Sequence, residues 1–227
     1  MKYGFNDLCL EVTRKCNMSC DHCLRGCAQN EDMTKDTIDA LLAKTDYIGT
    51  LTFTGGEPVL NADLIIYTID RIMRERISVT SFYMVTNAGV FDKDLFFKII
   101  EFYHYMDDNE YSNVCVSLDG YHDGRPEFID WWKSLAFYSN AKEQEDSEFS
   151  HRLISEGNAG DNGLGSRSLE LSDEMPCENN CCEEMFYVNV NGEIVNDCDM
   201  SYDTQSFNVL GHVDDIDSLY AEKNNDE

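Results

Sequence analysis

Short apolar or β-branched runs alternate with helical segments along most of this chain, and that order constrains its fold more than anything else in the sequence. "LCLEVT" (8–13) reads as a strand. "MTKDTIDALLAKT" (33–45) reads as a helix, with Thr34 as N-cap and Ile38, Leu41 and Leu42 on one face. "GTLTFT" (49–54) is the second strand. "NADLIIYTIDRIMRER" (61–76) follows as a helix capped by Asn61, with Leu64, Ile65, Ile69, Ile72 and Met73 at helical spacing. "VTSFYMVTNAG" (79–89) and "DKDLFFKIIEFYHYM" (92–106) repeat the pair, as do "NVCVSLDG" (113–120) and "RPEFIDWWKSLAFYSNA" (125–141). "FSHRLISEG" (149–157) reads as a fifth, weaker strand. Strands that alternate with helices predict an α/β fold with a parallel sheet and right-handed crossovers.

In such sheets, chemistry collects where strand C-termini meet their loops. The unusual residues of this chain fall there. A cysteine loop follows the first strand, Gly55-Gly56-Glu57-Pro58 the second, Asn87 the third, and Ser117 and Asp119 close the fourth. The order breaks near residue 158. "GNAGDNGLGSR" (157–167) reads as a loop, and "FYVNVNGEIV" (186–195) as a β-hairpin turning at Asn191-Gly192. Residues 170–213 read as a small metal-stapled appendage, and the C-terminal stretch as a short, fraying helix.

Four cysteines, Cys16, Cys20, Cys23 and Cys27, stand within twelve residues. The chain reads as soluble and its N-terminus lacks the long apolar run of a signal peptide, so the expected compartment is the reducing cytoplasm. There disulfides are uncommon, and the ten cysteines point to metal or catalysis. Soft thiolates on a short loop suit zinc, copper or an iron–sulfur cluster. Structural zinc usually takes four ligands. Three thiolates, Cys16, Cys20 and Cys23, fit a 4Fe–4S cube with one iron left open. Cys27 would close that iron, so it reads as a bystander. Cys9 and Cys115 lie within strands and read as small core residues.

The net charge is −27, with 44 acidic and 17 basic residues. Such a surface repels phosphate backbones, so direct nucleic-acid binding is not expected. No apolar run reaches the roughly 18 residues of a membrane span, and no membrane partner is expected.

These motifs resemble those of the radical S-adenosylmethionine (SAM) enzymes, whose signature is CxxxCxΦC with Φ usually aromatic. His22 occupies the Φ position, a flat ring but a departure from the pattern. "TGGEP" (54–58) resembles the family's second-strand motif, "VTNAG" its third-strand motif and "VSLDG" its fourth. The resemblance implies a partial (β/α) barrel over residues 1–160, with a 4Fe–4S cluster on Cys16, Cys20 and Cys23. It implies SAM contacts from His22, Gly55, Gly56, Glu57, Asn87, Ser117 and Asp119, and from Arg152 to the SAM carboxylate. In this reading the glycines let backbone approach a ligand, and Glu57 offers a charge for an ammonium group. "SLDGYHDGRP" also resembles the peptide-modifying branches, which puts His122 and Arg125 on the substrate side.

Residues 161–227 form the second expected region, a cysteine-rich hairpin with an acidic tail. Cys177, Cys181, Cys182 and Cys198 bracket the hairpin and resemble a truncated auxiliary-cluster region of the SPASM or twitch type. Four thiolates would satisfy structural zinc equally. At most one auxiliary cluster is expected. The implied reaction is reductive cleavage of SAM to a 5′-deoxyadenosyl radical that abstracts hydrogen from a peptide or protein, with flavodoxin or ferredoxin as reductant. A small-molecule radical SAM enzyme, a glycyl-radical activase and a SAM-binding iron–sulfur sensor are the other readings.

Overall fold

The computed structural model describes residues 2–106, 108–140, 153–169 and 181–223. It holds one sheet of eight strands in the order β5-β4-β3-β2-β1-β6-β7-β8. The strands are β1 (Tyr3–Thr13), β2 (Thr45–Gly55), β3 (Ser78–Thr86), β4 (Asn113–Val116), β5 (Tyr138–Asn140), β6 (Cys181–Val188), β7 (Glu193–Val195) and β8 (Val209–His212). Pairing is parallel from β5 through to β6 and antiparallel only in β6–β7 and β7–β8. The helices are α1 (Lys35–Ala43), α2 (Ala62–Glu75), α3 (Lys93–Tyr105), α4 (Pro126–Lys133), α5 (Gly157–Asp161), α6 (Tyr202–Gln205) and α7 (Ile216–Lys223).

The alternation read from the sequence produces the first four strand–helix pairs. Thr34 caps α1 through its hydroxyl, which accepts from Thr37 N. Asp92 caps α3, accepting from Leu95 N at 2.8 Å. Asn61 does not cap α2. A 3₁₀ turn over Pro58–Asn61 intervenes, and the Asn61 amide donates to the Val12 carbonyl at 2.7 Å. One apolar core lies between the sheet and these helices. Leu8, Leu10, Phe53, Phe82, Met84, Ile69 and Ile99 are all buried in it. Burying aliphatic and aromatic side chains of this size contributes about 1.5–3 kcal/mol each.

The structure differs from the sequence reading at several places beyond residue 130, among them a helix, α5, inside the 157–167 stretch read as a loop. The helix expected over 125–141 stops at Lys133, and Tyr138–Asn140 instead pairs with Val114–Val116 as β5. Trp132, fully buried, anchors the helix end, and the chain then has an open edge of β4 to satisfy. The strand expected over 149–157 is not formed where it is described. Its first four residues lie outside the described residues, Ile154 makes a single bridge to Arg167, and Gly157 opens α5.

The hairpin forms, with Gly192 at φ +80° and Asn189 Oδ1 accepting from Asn191 N and Glu193 N. It is not set apart from the barrel sheet. β6 lies beside β1, with Cys9 opposite Tyr187 and Leu10 opposite Val188. Phe186 meets Phe5 at 4.6 Å, and Tyr220 stacks on Tyr3 at 4.6 Å. The sheet therefore runs across the division at residue 160.

Candidate cluster and cofactor site

The chain leaves β1 at Thr13 and carries the cysteine loop over the C-terminal end of the sheet. Cys16, Cys20 and Cys23 are free, half-buried thiols that line one cavity of about 450 Å³. Burial pushes the Cys16 thiol up, against the Met18 N–H that its sulfur accepts at 3.4 Å, with Cys23 among the charges that add to the rise. Cys20 is pushed up to about 11, first by burial and then by Cys16 and Cys23. Each sulfur thus sits in the field of the others. Three neighbouring thiolates repel unless a cation holds them, so the donor set fits a thiolate-ligated metal cluster.

Cys27 is separated from this set. It is exposed and opens on a different cavity, shared with Glu156 and Thr204.

Gly55 and Gly56 are demanded by backbone crowding. Gly55 has φ +137°, and a Cβ there would stand 2.0 Å from the Thr13 carbonyl oxygen. A Cβ on Gly56 would stand 2.2 Å from the Lys15 carbonyl oxygen. The two motifs are bonded at the same point, by Gly56 N to Thr13 O (2.9 Å) and Glu57 N to Lys15 O (2.8 Å). The sequence reading gave these glycines to a ligand; the close approach seen here is to the root of the cysteine loop.

Glu57 also differs from its expected role. Its carboxylate is buried and turned into the protein. Oε1 accepts from the Thr86 hydroxyl (2.7 Å) and from Val59 N (3.3 Å), while Oε2 accepts from Asn87 N (2.8 Å). Burial pushes its pKa up to about 7, against the pull of these three donors. Both oxygens expected to meet an ammonium group are thus engaged in tying the end of β2 to the end of β3. The backbone of residues 54–58 still lines the cavity.

Asn87 and Ser117 line the cavity. Asn87 donates to Asn17 Oδ1 at 3.0 Å and approaches the Cys16 sulfur at 3.8 Å. Asp119 turns to its own loop, where Oδ1 accepts from Tyr121 N (2.8 Å) and pairs with His122 Nδ1 (2.7 Å). Burial raises its pKa, but these donors outweigh burial and hold it below the ordinary carboxylate value. His122 lines the cavity, whereas Arg125 lies over Phe128 and borders a separate groove. His22 stacks on Tyr121 at 4.2 Å and meets His122 edge-on at 5.0 Å. Its buried Nδ1 has no hydrogen-bond partner among the described residues. Burial, then His122, hold its pKa below the usual value. Arg152 lies outside the described residues.

Of the C-terminal cysteines, Cys177 lies outside the described residues. Cys181 and Cys182 stand on β6 opposite Gly4 and Phe5. Cys198 is half-buried against Cys9, Tyr187, Val195 and Met200. Burial, then Asp199 and Asp197, push its thiol up to about 12.

The sequence reading missed the polar network that fastens this region to the cysteine loop. Glu11 is fully buried and accepts from Arg14 Nε (2.7 Å), the Tyr187 hydroxyl (2.6 Å) and Gln205 Nε2 (2.8 Å). Arg14 also donates to Gln205 Oε1 at 2.8 Å. Arg25, between Cys23 and Cys27, donates to the Met200 carbonyl at 2.6 Å and lies 5.1 Å over the Tyr187 ring. A charged residue inside "LCLEVT" was the available signal, since a lone acid in a buried strand requires partners.

A mostly parallel α/β sheet with three thiols at the C-terminal ends of its strands is the class of fold and donor set that suits a cluster-binding protein. The family model for the Radical SAM superfamily matches residues 10–143, more than half of the chain, and the chain belongs to that superfamily. Membership implies a 4Fe–4S cluster and SAM. An uncharacterised protein of Methanocaldococcus jannaschii is 32% identical over 146 residues, covering 58% of this chain. The chain spans about half (48%) of that relative's length. Among solved structures, native anSMEcpe with bound AdoMet and Cp18Cys peptide aligns with 96% of this chain and 80% of its own, at a TM-score of 0.57 and 11% identity. Streptococcus suis SuiB bound to precursor peptide SuiA aligns with 58% of this chain and 30% of its own, at a TM-score of 0.41 and 14% identity. Among the described residues, no helix is long and apolar enough to cross a membrane.

Proposed function

We propose that this protein is a radical SAM enzyme whose substrate is a peptide or protein. One observation carries the reading: Cys16, Cys20 and Cys23 open on a single cavity that is also lined by residues at the ends of β2, β3 and β4. The thiols of Cys16, Cys20 and Cys23 would hold the 4Fe–4S cluster. The Thr54–Pro58 backbone, Asn87 and Ser117 orient SAM beside it, and His22 supplies a flat ring on the loop itself. When bound, cluster and SAM together supply a 5′-deoxyadenosyl radical for hydrogen abstraction. Ile154, Arg167 and Tyr202 close the cavity from the C-terminal side and limit access of water. A peptide substrate is supported by the fold shared with anSMEcpe, a structure that holds both AdoMet and a peptide.

Two further assignments belong to this reading. Cys177 and Cys198, with one or both of the adjacent Cys181 and Cys182, hold a second iron–sulfur cluster or a zinc ion, and a flavodoxin or ferredoxin delivers the electron in the cytoplasm. The test is anaerobic incubation of the reconstituted protein with SAM and dithionite. Formation of 5′-deoxyadenosine, raised by peptides and not by small metabolites, is the expected result. An intact cluster with no SAM cleavage would refute the enzyme reading.

A further inference from the structure

The segment after Ile154 is bonded to the backbone of the cysteine loop at three points. Asn158 N donates to the Cys23 carbonyl at 2.9 Å, and the Asn158 side-chain amide donates to the Cys20 carbonyl at 2.9 Å. Asn162 Nδ2 donates to the Asp21 carbonyl, also at 2.9 Å. The approach is close enough to require glycine. Gly157 has φ +50°, and a Cβ there would stand 2.4 Å from both Gly26 N and the Leu24 carbonyl oxygen.

Both cysteine carbonyls already accept within the loop, from Cys23 N (3.2 Å) and Gly26 N (3.3 Å). Asn158 adds a second donor to each. Two donors on one carbonyl fix the plane of that peptide, and with it the direction in which the adjoining Cα–Cβ bond presents its sulfur. On its other side the same segment reaches the C-terminal region through Glu156, whose Oε2 accepts from Ser201 N (3.1 Å) and from the Thr204 hydroxyl (2.6 Å).

We propose that Asn158 is a positioning residue for the cluster, its side-chain amide holding Cys20 in its ligating orientation beside the bond from its backbone N–H to Cys23. Residues 156–162 thereby make the geometry of the cluster loop depend on the C-terminal region. The proposal rests on the cluster assignment above. Outer-shell partners of metal ligands typically change metal affinity by about 10–100-fold when removed.

The test uses the full chain, reconstituted anaerobically with iron and sulfide. Two variants are compared with wild type, Asn158→Ala and the isosteric Asn158→Asp, which keeps the volume but loses the side-chain donor. The readouts are the rate of iron release to a ferrous chelator and the EPR spectrum of the dithionite-reduced cluster. Thermal unfolding of the iron-free chain reports on the fold. Both variants are expected to release iron about 10-fold faster or more, with an altered EPR line shape and a folded iron-free chain. Wild-type release and spectrum in both would overturn the proposal. So would a wild-type result for Asn158→Asp alone, which would reduce the residue to packing. If both variants fail to fold, Asn158→Ser, which also loses the amide donor, carries the test, with faster release expected and an unchanged rate decisive against the proposal. Failure of the wild-type chain to bind iron would instead overturn the cluster assignment itself.

Discussion

The Tyr187 hydroxyl donates to Glu11 Oε2 at 2.6 Å, joining the strand that feeds the cysteine loop to the first strand of the C-terminal hairpin. Around that bond Arg14 and Gln205 complete a buried polar network. Such a network is costly to break at Glu11, because Arg14 Nε, the Tyr187 hydroxyl and Gln205 Nε2 lose a shared buried acceptor, even though Arg14 keeps Glu31 at 3.4 Å. Glu11→Ala is expected to destabilise the protein by about 3–5 kcal/mol, and Tyr187→Phe by about 1–2 kcal/mol. Urea unfolding checks both. An Ala variant as stable as wild type would show that the network contributes little.

The triad carries the second prediction. Replacing Cys16, Cys20 and Cys23 together by alanine is expected to remove one 4Fe–4S equivalent and abolish SAM cleavage. Cys27→Ala is expected to keep both, since Cys27 opens on a different cavity. Iron and sulfide analysis with 5′-deoxyadenosine assay decides. Iron or zinc remaining in the triple variant reports on the C-terminal cysteines.

Glu57 gives the stability of the iron-free chain a pH dependence. Its folded pKa of about 7 lies above the ordinary 4.5. Between these values the folded state holds a proton that the unfolded chain has released. Its contribution is therefore full below pH 4.5, declines as pH rises, and levels off above 7. The change is about 3 kcal/mol. Urea unfolding of wild type and Glu57→Gln across this window should show wild type losing stability relative to the variant as pH rises. Parallel profiles would contradict the assignment.

Self-repulsion is the fourth prediction. With 44 acidic against 17 basic residues, the folded chain concentrates negative charge that salt screens. Raising NaCl from about 10 mM to about 0.5 M is expected to raise the unfolding midpoint by several degrees. A flat or falling midpoint would show that local ion pairs dominate.

Features set by neighbours in sequence were legible before the fold was known. The thiol spacing, the strand-end position of Gly55-Gly56 and the Asn191-Gly192 turn depend on residues a few places apart. The crowding that demands those glycines was not legible, because the nearest atoms belong to Thr13, on another strand, and to Lys15, in the loop that follows it. The partners of Glu57 were hidden for the same reason: Thr86 and Asn87, which occupy its carboxylate, arrive about thirty residues later. Glu11 meets Gln205 across 194 residues, a distance over which local pattern carries no information. The helix expected over 125–141 ended early because an apolar run of aromatics suits helix and strand alike, and the open edge of β4 decided for strand.

The pairing of β6 with β1 has a practical consequence for dissecting this protein. A fragment ending near residue 160 would strip β6 from β1 and leave the long, largely apolar strand Tyr3–Thr13 as a bare edge. Exposed edges of that kind recruit other chains. Such a fragment should therefore form inclusion bodies or soluble oligomers, and domain-mapping by truncation would mistake aggregation for loss of activity.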